Sequence, residues 1–135
     1  MKAEGTYGVK KWEENVYEQI SSEMKMTKAS VAYSMSGEIL GNALVEYLMF
    51  YKYFDAKDQH KSSAIYVGLI RFVGSVKGKV GSFAIEDRGT FESGAASSTL
   101  QIISGSGTGE LHGIQGAGRY SANQYGAHIE LDYIL

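Results

Sequence analysis

Over much of the chain apolar and polar residues alternate with a period of two, the mark of strands that turn one face away from water. Between Met26 and Ser36, Val31, Tyr33 and Met35 fall on one face while Lys28, Ser30, Ala32, Ser34 and Ser36 fall on the other. A looser alternation over Lys2 to Trp12, with Tyr7 and Val9 sharing a face, predicts a first strand. Glu38 to Asp55 and Ala64 to Val76 are apolar on both faces, and the polar run Asp55 to Ser63 between them is the one sizeable loop. Lys79 to Glu92, Ala95 to Ser104 and Ala127 to Leu135 read as further strands, and a glycine tract, Gly105 to Gly118, leads into Arg119-Tyr120. Gly37, Lys77-Gly78 and Ser93-Gly94 supply tight turns. Trp12, Val16, Ile20 and Met24 recur every fourth residue, which is helical spacing, but no cap residue opens the segment; it predicts a short helical turn or irregular crossover near residues 13–25.

Seven or eight strands joined by short turns predict an all-β fold, a closed antiparallel meander barrel of about eight strands in a single domain over residues 1–135. Closure hides the sheet edges and lets a small chain wall off an interior. The composition agrees: 17 glycines with no proline supply bends and bulges while every backbone donor is kept for the ladder. With 13 basic and 15 acidic residues, a formal charge of -2 and no basic stripe, nucleic acid is excluded as a partner. Cysteine is absent, so disulfide and thiolate chemistry are excluded and a reducing compartment suits the chain. The start, Met1 to Thr6, is polar where a signal peptide needs an apolar core, and no apolar run reaches membrane length; the expectation is a soluble cytoplasmic protein with no membrane partner.

Several strings taken in order carry a resemblance: Val45-Glu46-Tyr47-Leu48-Met49, Val67-Gly68-Leu69-Ile70-Arg71-Phe72-Val73-Gly74, Gly81-Ser82-Phe83, Gly89-Thr90-Phe91-Glu92, Ser106-Gly107-Thr108-Gly109-Glu110-Leu111 and Leu131-Asp132-Tyr133. Together they resemble a bacterial family of uncharacterised small proteins grouped with the allene-oxide-cyclase-like barrels, and the likeness runs from about the first strand to the last residue. It implies an eight-stranded calycin-like barrel whose glycine-rich strand, Gly105 to Gly118, is similar to the Gly-Ser/Thr-Gly element of allene oxide cyclases and dirigent proteins. It implies no chemistry: the catalytic motifs of those plant relatives have no counterpart here, and the family has no established activity.

Sorting each strand by parity yields one set of faces with isolated charges. Leu44, Glu46 and Leu48 share a face, as do Val67, Leu69, Arg71 and Val73, as do Phe83, Ile85, Asp87 and Phe91, and as do Ile129, Leu131, Tyr133 and Leu135. If these faces line the lumen, Glu46, Arg71 and Asp87 meet on three consecutive strands, an Arg fork between two carboxylates that would anchor a polar ligand head, and Tyr133 on the last strand is a further candidate lumen residue. The alternatives are a buried bridge closing one barrel end, or reversed parity. The opposite faces carry an aromatic stripe, Val45, Tyr47, Met49, Tyr51 and Tyr53, extended by Tyr66, Ile70 and Phe72. Whichever face points outward leaves a large apolar patch, which predicts a homo-oligomer.

Other motifs argue against specific chemistries. The glycine tract lacks both the literal G-x-G-x-x-G and a terminal Gly-Lys-Ser/Thr, so its role is turns and close packing rather than phosphate binding. His60, His112 and His128 are widely spaced and in no paired ligand motif, so neither metal nor other cofactor is expected. No G-x-S-x-G elbow supports a serine hydrolase, and no catalytic residue is assigned. Three functions remain. The first is a barrel that binds a small amphipathic or hydrophobic molecule in its lumen. The second is an isomerase or cyclase on a small apolar substrate, with Glu46 or Asp87 shifting a proton near Arg71. The third is a purely structural oligomer whose lumen its own side chains fill.

Overall fold

The structure, a computed structural model, describes residues 1–135. Nine strands make it up: β1 (Lys2–Gln19), β2 (Lys25–Gly37), β3 (Ile39–Tyr53), β4 (Ser63–Val76), β5 (Lys79–Glu92), β6 (Ala95–Ile102), the two-residue β7 (Thr108–Gly109), β8 (Gln115–Asn123) and β9 (Gly126–Ile134). All pairings are antiparallel, and eight strands close a ring in the order β1-β2-β3-β4-β5-β6-β8-β9, with β9 returning to β1. The expected meander barrel is what forms. No helix is long and apolar enough to cross a membrane.

Residues 13–25, expected to hold at most a short helical turn or an irregular crossover, contain no helix, and a single 3-10 turn sits elsewhere, at Gln59–Lys61 in the β3–β4 loop. Instead β1 runs on as a strand to Gln19, paired along β2 with irregularities between Val9 and Lys11 and between Val16 and Glu18. Spacing of four suits a strand face as well as a helix, since Trp12, Glu14 and Val16 alternate by two on one side. The bulges each insert one residue and break the alternation that would have shown the strand.

Short turns set the registers of β4, β5 and β6. Lys77 and Gly78 have φ of 47° and 83°, and Ser93 and Gly94 have φ of 52° and 77°, the paired left-handed values of a two-residue hairpin whose twist matches its strands. The first turn pairs Val76 with Lys79 and, counting back, Ile70 with Ile85 and Gly68 with Asp87.

The barrel is filled at one end and hollow at the other. At the filled end Phe72 and Phe83 meet at 5.2 Å between ring centroids, with Ile39, Ile85, Ile102 and Leu131 packed around them. The glycine tract is not one strand. Gly105 to Ile114 is turn and loop with only Thr108–Gly109 pairing to β5, and it folds across this end so that Leu111 and Ile114 are fully buried. Only from Gln115 does the chain re-enter the ring as β8.

Candidate functional site

The hollow end is built from tyrosines laid across glycines. Tyr47 of β3 pairs with Gly68 of β4, which pairs with Asp87 of β5, and all three positions face inward. A Cβ on Gly68 would lie 2.6 Å from Tyr47 Cδ1, so the missing side chain is the space in which the ring lies. Across that gap Tyr47 Oη donates to Asp87 Oδ2 at 3.0 Å. One level nearer the mouth the device repeats: Tyr66 pairs with Gly89 and Gly89 with Ser98, and Tyr66 Oη lies 2.6 Å from Ser98 Oγ. A Cβ on Gly89 would come within 2.5 Å of both oxygens.

These phenols join into one network. Tyr47 Oη is 3.3 Å from both Tyr33 Oη and Tyr120 Oη, and Tyr120 Oη is 3.1 Å from Tyr66 Oη. Tyr7 stands edge-on to Tyr33 and Tyr120, with centroids 5.1 and 5.2 Å away. Its buried hydroxyl has no partner, and neither has Asp87 Oδ1. Burial pushes the Tyr33 hydroxyl up to about 12 and the others of the group upward as well, so all are neutral donors at physiological pH. Burial likewise raises the Asp87 carboxyl from 3.8 to about 6, with the hydroxyls of Ser98 and Tyr47 pulling part of the way back.

Above the network opens a cavity of about 460 Å³, lined by 16 residues of which 13 are hydrophobic. Its floor is Tyr33, Tyr47, Tyr66 and Tyr120, and its walls include Phe91, Ala96 and Ala122. Tyr7, Val9 and Trp12 of β1 flank one side and the β8–β9 turn, Asn123 to Ala127, the other. β1 holds to β9 only over Lys2 to Thr6 and then diverges, which opens this flank. Trp12 is fixed from two directions. Its ring stacks on Tyr47 at 6.4 Å, and its Nε1 donates to Glu14 Oε1 at 2.9 Å, while Glu14 Oε2 accepts from Thr27 Oγ1 and Tyr51 Oη, each at 2.7 Å. Asp87 lies behind Tyr47, outside the lining.

The expected charged trio does not assemble. Asp87 is fully buried in the lumen, but Glu46 and Arg71 point outward and are exposed. Glu46 accepts from Ser30 Oγ at 2.9 and 2.7 Å on the outer surface. Pairing explains the correction: Arg71 faces Ala84 and Glu46 faces Leu69, both outside positions, whereas Asp87 shares its level with Gly68 and Tyr47. Tyr133 is inward and buried as expected, but it pairs with Gly116 toward the filled end, away from the cavity. The aromatic stripe assigned to the opposite face supplies Tyr47 and Tyr66 to the lumen. Its inward direction followed from the β4–β5 turn, since a lumenal Asp87 requires a lumenal residue 68, and with it 66, 70 and 72.

Three metal-ligating groups do meet on the outer surface. Glu4, His128 and Glu130 place their ligand atoms within 4.8 Å of one another where β1 pairs with β9. Glu130 already has a cation nearby, Arg119 Nε at 3.4 Å.

Fold and site define a small antiparallel barrel, plugged at one end and opening at the other onto a tyrosine-floored cavity. Over residues 3–133 the chain matches a family described as a protein of unknown function, DUF3224, and it belongs to that family. Its fold is similar to the crystal structure of a DUF3224-family protein of unknown function from Shewanella oneidensis MR-1, with a TM-score of 0.79 and 24% identity, covering 100% of this chain and 97% of that one. No curated protein matches the chain in sequence.

Proposed function

We propose that the protein binds a small, mainly apolar molecule in the open end of its barrel. The observation that carries this is the cavity itself: about 460 Å³ and 13 hydrophobic residues of 16, within the size range of small-molecule sites. A barrel serving only as structure would fill this end as it fills the other. The phenol hydroxyls of the floor are turned to one another, to Ser98 and to Asp87, so the lining offers the cavity chiefly ring faces and alkyl groups. The ligand favoured is therefore an apolar body, aromatic or polycyclic.

Trp12 is the one tryptophan of the chain and lines the cavity, so its fluorescence reports occupancy. Titration with N-phenyl-1-naphthylamine, a neutral three-ring aromatic amine, should quench Trp12 saturably. Ala96→Phe, which fills the wall, should weaken binding about tenfold or more. Linear, non-saturating quenching, or equal binding by Ala96→Phe, would overturn the reading.

A second reading, an isomerase or cyclase, is favoured by Asp87 alone: a carboxyl near 6 linked through Tyr47 to the cavity floor suits proton transfer close to neutral pH. Under it Asp87→Asn abolishes turnover of a substrate while probe binding persists. Kinship with the allene-oxide-cyclase-like barrels, argued from the ordered glycine strings, and a cytoplasmic location, argued from the absence of cysteine, belong to the same proposal.

A further inference from the structure

The outer face of β3 and β4 is apolar where a barrel exterior is expected to be polar. Leu40, Leu44, Leu48, Val67, Leu69 and Val73 are all exposed there, Leu44 at 62% and Leu69 at 58%. The register makes them contiguous: Leu48 sits opposite Val67, Leu44 opposite Arg71, and Leu69 opposite Glu46. The face is not uniformly greasy. Glu46 and Arg71 lie within it, and Lys28, Glu86 and Arg88 frame it through the neighbouring pairs Lys28–Leu48, Leu69–Glu86 and Val67–Arg88. Arg71 makes no ion pair within the chain, although Glu46 stands on the adjacent strand. Between β3 and β5, over Gly68, the wall is hollowed by a groove of about 330 Å³.

We propose that this face is the interface of a homodimer, the occupant being a second copy of the same chain. An isologous interface needs a surface complementary to itself, and this one holds both halves of each match. It has projecting leucines and a groove to receive them, and it has a free guanidinium and a carboxylate held only by a serine hydroxyl. With the two copies related by a two-fold axis, Arg71 of each reaches Glu46 of the other, and the leucines close around both pairs. An aliphatic centre with a rim carrying both signs is the anatomy of a stable association surface. A nucleic acid or an acidic peptide is disfavoured because the carboxylates of Glu46 and Glu86 interrupt the three cations Lys28, Arg71 and Arg88, leaving no continuous basic stripe. A lipid surface is disfavoured because Glu46 lies within the apolar patch and Glu86 at its edge.

The mass in solution, read by sedimentation equilibrium over a dilution series, tests this directly. The native protein should weigh twice the chain mass of 14.7 kDa. Leu69→Lys and Arg71→Glu should each weaken association about tenfold or more, because each sets an unpaired or like charge against the copy. The double variant Glu46→Arg with Arg71→Glu restores the pair with its signs exchanged and should recover the dimer. All three changes lie on the outer wall, so far-ultraviolet circular dichroism and quenching of Trp12 by the probe should stay native-like, which separates loss of the dimer from loss of the cavity. A single-chain mass at every concentration would overturn the proposal. So would a dimer that neither Leu69→Lys nor Arg71→Glu weakens, or one that the double variant fails to recover.

Discussion

Tyr47 of β3 reaches over Gly68 of β4 to donate its hydroxyl hydrogen to Asp87 of β5, 3.0 Å away and fully buried. This contact ties the one lumenal carboxylate to the floor of the cavity, and its energetics are readable by pH and by single substitutions.

Asp87 should make the protein less stable as pH rises. Its carboxyl titrates near 3.8 when unfolded and near 6 when folded, so the folded chain favours the neutral form. Relative to this group, stability is fully present below the unfolded value and falls as pH climbs through the folded one. The total loss is about 3 kcal/mol, at about 1.4 kcal/mol per pKa unit. Asp87→Asn cannot ionise, so its denaturant midpoint should stay level across this window and exceed the wild-type midpoint at pH above the folded value. A wild-type advantage that grows with pH would contradict the assignment.

Tyr47→Phe removes the hydrogen bond from Tyr47 to the carboxylate while keeping the ring over Gly68. The expected cost is about 1.5–3 kcal/mol where Asp87 is ionised, and less where it is protonated. The Asp87 carboxyl should titrate higher still, as followed by carbon-detected NMR of its side chain. An equal cost at both pH extremes would assign the role of Tyr47 to packing alone.

Gly68→Ala tests the space itself. The new Cβ would lie 2.6 Å from both the Glu46 carbonyl oxygen and Tyr47 Cδ1, so the ring must move or the strands must part, at about 1–3 kcal/mol. Gly8→Ala on β1 meets nothing within 4 Å and should be neutral within about 0.5 kcal/mol or slightly stabilising. Thermal unfolding of the pair separates crowding from the general effect of removing a glycine.

The plug of the filled end should carry much of the stability. Leu111 is fully buried there, and Leu111→Ala should cost about 2–5 kcal/mol. Val80, nearby on β5 but 61% exposed, should tolerate Val80→Ala within about 0.5 kcal/mol. Equal midpoints for the two variants would mean that the glycine tract does not seal the barrel.

Alternation, glycine placement and short turns determined by themselves that this chain is an antiparallel barrel, because a strand buries one face and a two-residue turn pairs its neighbours. The turn at Lys77-Gly78 carries the correction to the expected charged trio, since pairing Val76 with Lys79 sets Arg71 against Ala84 and leaves it on the face opposite Asp87. Two features lay beyond local pattern. The bulges near Val9 and Val16 hid the length of β1, because an inserted residue resets the period. The glycine tract, similar to a strand in composition, became a plug because Leu111 and Ile114 found an open barrel end to fill. The site was decided by tertiary structure alone. Tyr33, Tyr47, Tyr66 and Tyr120 come from four strands across the chain, and only closure of the ring brings their hydroxyls within reach of one another and of Asp87, with the Tyr7 ring edge-on beside them.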